Sequence, residues 1–121
     1  MSKGFTLVIG ASENTSRYSN MAVKQLVLSR HDVLALGSRP GKIGDIVIRT
    51  GQPAFQDVDT ITLYVGPEHL APMHDYILTL HPRRVIFNPG TEDEAFQLRL
   101  HESGIETLEA CTLVMLSTGQ F

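Results

Sequence analysis

The chain has 121 residues and one cysteine, which suits a single domain with one core and rules out an intramolecular disulfide. Apolar residues make up 42% of the sequence and charged residues 19%, as in folded globular proteins rather than disordered chains. The formal net charge of −3 argues against general nucleic-acid binding, because nucleic-acid phosphates are bound by clustered Lys and Arg.

Short apolar segments alternate with segments of helical periodicity along the chain. Strands are predicted at residues 5–9, 33–36, 61–65, 85–87 and 105–108. Their nearly continuous apolar character is typical of strands that are covered on both faces. Helices are predicted at about 19–30, at about 68–81, and from Thr91, where Thr91-Glu-Asp-Glu94 has a capping-box pattern, to just before Gly104.

This alternation with short connections predicts a parallel sheet with right-handed crossovers. We therefore expect an α/β fold: one Rossmann-like three-layer domain over residues 1–121 with a five-stranded, mostly parallel sheet. Residues 37–59 are the exception, since they are rich in Gly, Pro and polar residues, and residues 45–48 within them are a candidate short extra strand.

Two observations bear on location. No apolar run approaches the ~20 residues that span a bilayer. The first strand begins too close to the N-terminus to leave room for a signal peptide. A cytoplasmic protein without membrane contact is the expectation.

The first predicted strand leads into a loop that has the features of a phosphate site. In an open parallel sheet, ligands bind beyond the carboxyl ends of the strands, where a tight turn and a helix N-terminus meet. We expect the backbone amides of residues 10–12 to face a phosphate there. Ser19 and Asn20 are equally consistent with N-caps of the helix. The candidate residues of this loop are Gly10, Ala11, Ser12, Arg17, Ser19 and Asn20.

The second predicted strand is followed by Ser38, Arg39 and Pro40. The G-x-G-x-x-G fingerprint is absent from the first loop, and no acid stands here to hold the ribose hydroxyls of NAD. A hydroxyl beside a guanidinium suits a ribose phosphate instead, either the 3′-phosphate of coenzyme A (CoA) or the 2′-phosphate of NADP. The alternative for Arg39 is a surface ion pair.

Candidates from the other two loops are Val65 and Pro67 after the third strand and Asn88 and Gly90 after the fourth. Residues 88–90 are equally consistent with a turn that only leads into the next helix. No catalytic residue is assigned: the lone Cys111 is more typical of a buried small hydrophobe than of a nucleophile. The five histidines lack a metal-ligand spacing, so no metal site is expected.

Taken in order, these motifs resemble the small bacterial CoA-binding proteins, which are similar to the CoA-binding domain of the succinyl-CoA synthetase alpha subunit. The motifs are Ile9-Gly-Ala-Ser12, Arg17-Tyr-Ser19, Ser38-Arg-Pro40, Asn88-Pro-Gly-Thr-Glu-Asp-Glu-Ala95 and Ala110-Cys111. Three features depart from that pattern: Arg39-Pro40 replaces an Asn-Pro, residues 41–57 do not match residue by residue, and Cys111 is followed by Thr112 rather than by Pro or Leu.

The resemblance implies a Rossmann-like domain that binds CoA or an acyl-CoA without catalysing a reaction. It implies that residues 10–12, 17, 19 and 20 lie near phosphates, and that Ser38, Arg39, Pro40, Val65 and Pro67 lie near the adenosine half.

Two alternatives stay open: an NADP-binding enzyme domain, and a protein-interaction subunit with a vestigial nucleotide site. The enzyme would need a pair such as Tyr-x-x-x-Lys, and no tyrosine here has a lysine four residues on. The expected partner is a small nucleotide ligand, and a homo-oligomer or a partner enzyme subunit is also left open.

Overall fold

The structure, a computed structural model, describes residues 4–121. Residues 1–3, which the predicted domain includes and on which the expectation about a signal peptide partly rests, lie outside the described residues. The strands are β1 Phe5–Ile9, β2 Val33–Leu36, β3 Gly41–Ile43, β4 Ile46–Arg49, β5 Val58–Leu63, β6 Arg84–Phe87 and β7 Glu106–Glu109. The helices are α1 Tyr18–Leu28, α2 Pro67–Leu70, α3 His74–Thr79, α4 Glu94–Glu102 and α5 Thr112–Ser117, with a 3₁₀ turn at Ala71–Met73.

The strands form one sheet in the order β3-β4-β2-β1-β5-β6-β7. Every neighbouring pair is parallel except β3 and β4. The chain runs from β1 to β2 on one side, forms β3 and β4 there, and then crosses to β5 on the other side of β1. The carboxyl end of β1 is therefore the topological switch point, where such sheets bind ligands.

The fold has three layers, with helices on both faces of the sheet, and apolar residues of β1 pack against both helical layers. Leu7 and Ile9 point to one face, where they belong to a core cluster that includes Ile77 of α3 and residues of α4. Val8 points to the other face and packs with Val23 of α1. Because both faces of the central strand are buried, its sequence is nearly continuously apolar, with Thr6 as the exception. The predicted α/β fold with a mostly parallel sheet is confirmed.

The sheet has seven strands, not the predicted five. The candidate extra strand at residues 45–48 is β4, and β3 was not predicted. These two strands form an antiparallel hairpin around Gly44 and Asp45, with Gly44 at a φ of 59°. A positive φ at the first central position is what a two-residue type II′ turn needs. The three residues of β3 include a glycine and a lysine, so they carry no apolar strand signal.

The helices also differ from prediction in three places. The helix predicted at 68–81 is broken into α2, a 3₁₀ turn and α3. Pro72 lies at the break, where its ring and missing N–H do not allow a continuous α-helix. The next helix begins at Glu94 rather than Thr91, because the Asp93 side chain accepts the Phe96 amide at 3.1 Å and caps it. Helix α5 was not predicted.

No helix within residues 4–121 has the length and apolarity to cross a bilayer.

A bidentate ion pair links the residue before β6 to the start of β5 and makes stability depend on pH. Arg83 donates from Nε and Nη2 to Asp59 at 2.9 and 3.1 Å, and this bonding holds the pKa of the carboxyl below its usual 3.8. A depressed folded-state pKa contributes stability above about pH 4, and that contribution is lost as the pH falls through the lowered pKa. We expect Asp59→Asn to flatten the acid limb of stability, measured by urea unfolding at pH 7 and pH 3. Glu102→Gln, at an exposed carboxylate, should leave that limb unchanged, and an equal flattening would contradict the assignment.

Candidate ligand-binding site

A cleft of about 950 Å³, hereafter the large cleft, opens at the carboxyl ends of β1, β2 and β5. Its walls are the loops after these strands and the start of the α2 segment. Eight predicted site residues line it: Gly10, Ala11, Ser12, Arg17, Ser38, Arg39, Pro40 and Val65. The structure thus brings the loops after the first and second strands to one cavity at the switch point.

A second cleft of about 210 Å³, hereafter the small cleft, lies between the start of α1 and the loop after β6. It adds the predicted residues Ser19 and Gly90 to the lining. Four residues line both clefts, so the two cavities meet there: Gly10, Arg17, Tyr64 and Gly66.

Gly10 is required where the clefts meet. Its φ is 97°, and a Cβ at this position would lie 2.8 Å from Cγ2 of Val65. Its backbone amide donates to the carbonyl of Leu36 at 2.8 Å, and the amide of Ala11 donates to the same carbonyl at 3.0 Å. These two amides are therefore already used to join the end of β1 to β2, contrary to the expectation that the amides of residues 10–12 all face a phosphate.

Other amides of this loop remain open. Those of Ser12, Glu13, Tyr18 and Ser19 have no hydrogen-bond partner in the described part of the chain. Tyr18 and Ser19 form the first turn of α1, whose N-cap is Arg17 in extended conformation without a side-chain cap. The positive end of the helix dipole is thus exposed at the clefts, which is the arrangement that binds anions.

Asn20 lines neither cleft, and its side chain instead holds the loop after β1 in place. Its Nδ2 donates to the carbonyl of Ser12 at 2.9 Å, while its Oδ1 is buried without a partner among residues 4–121. Neither Ser19 nor Asn20 is the N-cap of α1. Pro67, also predicted at the site, is the first residue of α2 and lines neither cleft.

Asn88 is buried beneath the site and its polar atoms are occupied. Its Nδ2 donates to Oγ1 of Thr62 at 2.7 Å and to the carbonyl of Leu63 at 2.8 Å. Its Oδ1 accepts the amide of Thr112 at 2.9 Å, and the hydroxyls of Thr62 and Thr112 are 2.7 Å apart. Asn88 therefore ties the end of β5 to the start of α5 and lines neither cleft.

The charges on the large cleft are unpaired. Arg17 and Arg39 are exposed, and neither lies within 4.0 Å of a carboxylate in residues 4–121. The surface ion pair considered for Arg39 is not formed within these residues. Two guanidinium groups without ion-pair partners, against the one carboxylate of Glu13, leave the lining of the cleft with a positive balance of charge suited to phosphates.

Sequence reasoning missed Glu13, Tyr64, His69 and Met73, which also line the large cleft. Strand β5 ends at Leu63, two residues earlier than predicted, and this releases Tyr64 into the wall. Burial raises the pKa of the Tyr64 hydroxyl to about 12, so it is protonated at neutral pH. The sequence does contain a signal for this. Tyr64 interrupts the apolar run of residues 61–65, so the strand could have been ended before it.

Cys111 is half-buried at the N-cap of α5 and lines neither cleft. Residues 4–121 contain no group of three or more His, Cys, Asp or Glu side chains placed to hold a metal ion.

Comparison with solved structures identifies the fold class. A crystal structure of an uncharacterized protein shares 41% sequence identity, with a TM-score of 0.95 and full coverage of both chains. A conserved hypothetical protein from Pyrococcus furiosus is 25% identical, with a TM-score of 0.79 over 94% of this chain and 98% of that one. A protein from Thermus thermophilus is 20% identical, with a TM-score of 0.85 over 98% and 91%, which shows the shared fold alone. No curated protein matches the sequence.

The family assignment comes from the sequence model of the CoA binding domain, which matches residues 5–117. The match spans both clefts and every strand and helix, and it confirms the resemblance seen in the ordered motifs. The chain therefore belongs to the CoA-binding domain family, as a small member built on an α/β, Rossmann-like fold.

Proposed function

We propose that this protein binds CoA or an acyl-CoA in the large cleft. One observation carries the proposal: a member of the CoA-binding family opens a 950 Å³ cleft at its switch point, and the cleft is lined by two arginines without ion-pair partners, one of them at the uncapped start of a helix. A ligand with phosphates at both ends of an adenosine complements this arrangement.

The pyrophosphate lies at the junction of the clefts in this proposal. The first-turn amides of α1 and the amides of Ser12 and Glu13 donate to its oxygens, and Arg17 supplies a charge-assisted hydrogen bond. The pantetheine arm then runs along the small cleft from Arg17 toward Gly90, since that cleft is continuous with the large one there.

The adenosine half lies against the loop after β2. Ser38 and Arg39 contact the ribose 3′-phosphate, and Pro40 and Val65 supply apolar surface to the adenine. The cleft above Gly10 is open rather than filled by a side chain, which favours an occupied site over a vestigial one.

The role proposed is binding rather than turnover. Cys111 lines neither cleft, and Tyr64, with a pKa of about 12, is a poor base at neutral pH. The residues that line the clefts thus supply donors and charge for a phosphorylated ligand, without a nucleophile paired to a base.

Thermal unfolding with CoA, dephospho-CoA, NADP and NAD tests this proposal. A ligand that binds only the native state adds RT ln(1 + [L]/Kd), so a ~100-fold excess over Kd adds about 2.7 kcal/mol. We expect CoA to raise the Tm most and dephospho-CoA less, and we expect Arg39→Ala to remove the difference between them.

Lys42→Ala is the matched control for Arg39→Ala, since Lys42 is an exposed cation nearby whose side chain does not line either cleft. It should preserve the difference between CoA and dephospho-CoA. A larger Tm shift with NADP than with CoA would show that NADP is the preferred ligand and would contradict the proposal. No shift with any of the four ligands would overturn it as well.

A further inference from the structure

Glu13 is the one carboxylate among the described residues that line the large cleft, and its position is held by the backbone opposite. Its Oε2 accepts the amide of Lys42 in β3 at 2.9 Å. Gly41 leaves room for this contact, since a Cβ there would overlap Cδ of Glu13 and lie 2.7 Å from its Oε2. Glu13 therefore bridges the loop after β1 to the edge strand of the sheet.

The second oxygen of this carboxylate is free. Oε1 of Glu13 has no hydrogen-bond or ion-pair partner within residues 4–121. Gly41, against which the carboxylate packs, follows Arg39 and Pro40 directly in the chain. The lining of the cleft thus includes a guanidinium and a carboxylate that are not paired to each other, and the carboxylate packs against the backbone two residues after Arg39.

A ligand that complements this wall needs an anionic group beside Arg39 and a hydrogen-bond donor beside Glu13. The ribose of CoA has this pattern on adjacent carbons, a phosphate at the 3′ position and a free hydroxyl at the 2′ position. NADP carries the phosphate on the 2′ position, which would set a dianion against a carboxylate. In the proposed pose the 5′-phosphates lie near Arg17, and this contact sets which edge of the ribose faces the wall.

We propose that Glu13 determines specificity in this site: it accepts a hydrogen bond from the ribose 2′-hydroxyl and repels a 2′-phosphate. The inference rests on the proposed CoA-binding function and adds to it the basis on which 3′-phosphorylated and 2′-phosphorylated adenosine ligands are told apart. Arg39 alone cannot do so, because a guanidinium attracts a phosphate in either position.

Two isomers that differ only in phosphate position test the inference: adenosine 3′,5′-bisphosphate and adenosine 2′,5′-bisphosphate. Their Kd values are measured by isothermal titration on the wild-type protein and on Glu13→Gln. We expect the wild type to prefer the 3′ isomer by about 10-fold or more, the range of one charge-assisted contact. Glu13→Gln should narrow this ratio to about threefold or less, chiefly because the 2′ isomer binds more tightly.

Glu13→Gln separates charge from architecture, because the amide oxygen of glutamine can still accept the Lys42 amide. Glu13→Ala removes the bridge as well, so it should weaken both isomers while also reducing their ratio. Lys42→Ala keeps the backbone amide that Glu13 contacts, and its ratio should equal that of the wild type.

A ratio that is unchanged in Glu13→Gln, with CoA still bound, overturns the role of Glu13 and leaves the proposed function standing. Equal affinity of the wild type for the two isomers does the same. Failure of CoA and of both isomers to bind the wild type overturns the proposed function and this inference with it.

Discussion

Replacing Asn88 by alanine is expected to lower the free energy of unfolding by about 3 kcal/mol, although this residue touches neither cleft. The substitution leaves the amide of Thr112 and the carbonyl of Leu63 without their partner in the interior. Each buried polar group left unpaired costs on the order of 1–3 kcal/mol. Urea unfolding at neutral pH measures the loss, which corresponds to a fall in Tm of roughly 10 °C.

Gln25→Ala is the matched control for this prediction, since it removes an exposed amide side chain from α1. It should change stability by no more than about 0.5 kcal/mol. If Asn88→Ala were as stable as this control, the buried network would not be what joins β5, β6 and α5. If Asn88→Ala were stable but unable to bind CoA, Asn88 would be a ligand contact, as its position after a strand first indicated.

Replacing Arg17 by alanine is expected to weaken CoA binding by about 10- to 100-fold with little change in stability. Arg17 lines both clefts and has no ion-pair partner within the described residues, so its guanidinium is free to bond a phosphate. A hydrogen bond to a charged group is worth about 1.5–3 kcal/mol, which corresponds to that range of Kd. Isothermal titration with CoA at constant ionic strength gives the Kd, because salt screens exposed charges.

Two further variants sharpen this test. Arg17→Lys keeps the charge but not the planar guanidinium, so it should lose less affinity than alanine. Lys24→Ala removes an exposed cation from the same helix, away from both clefts, and should leave the Kd within about twofold. Equal losses for Lys24→Ala and Arg17→Ala would show a general effect of charge rather than a contact at the clefts.

The central part of the fold could be predicted because its residues signal their environment locally. Strand β1 lies at Phe5–Ile9 as predicted, since a strand buried on both faces is apolar at nearly every position. The continuous helix predicted at 68–81 was wrong at Pro72, although a proline inside a helical pattern is a signal of a break. Strand β3 and helix α5 could not be predicted in this way: three residues form the first, and the second has six residues and no side-chain cap.

The site residues also fall into those that local sequence could predict and those that it could not. Gly10 and Arg17 could be placed at a ligand site because a strand, a glycine turn and a helix start are adjacent in sequence. The roles of individual polar groups could not, because they depend on residues far apart in the chain. Asn88 turns inward because Leu63 and Thr112 meet there, and the amides of Gly10 and Ala11 are used by Leu36 of the neighbouring strand. Glu13 acquires its position only from the edge strand that the sequence did not reveal.

The most direct test of CoA binding at this site is a titration of the ¹⁵N-labelled protein with CoA, followed by amide chemical shifts. If CoA binds as proposed, we expect saturable changes that are largest at the amides of Ser12, Glu13, Tyr18 and Ser19, and small changes along β7 at the far edge of the sheet. Changes that cluster away from the carboxyl ends of β1 and β2, or no saturable change at all, would contradict it.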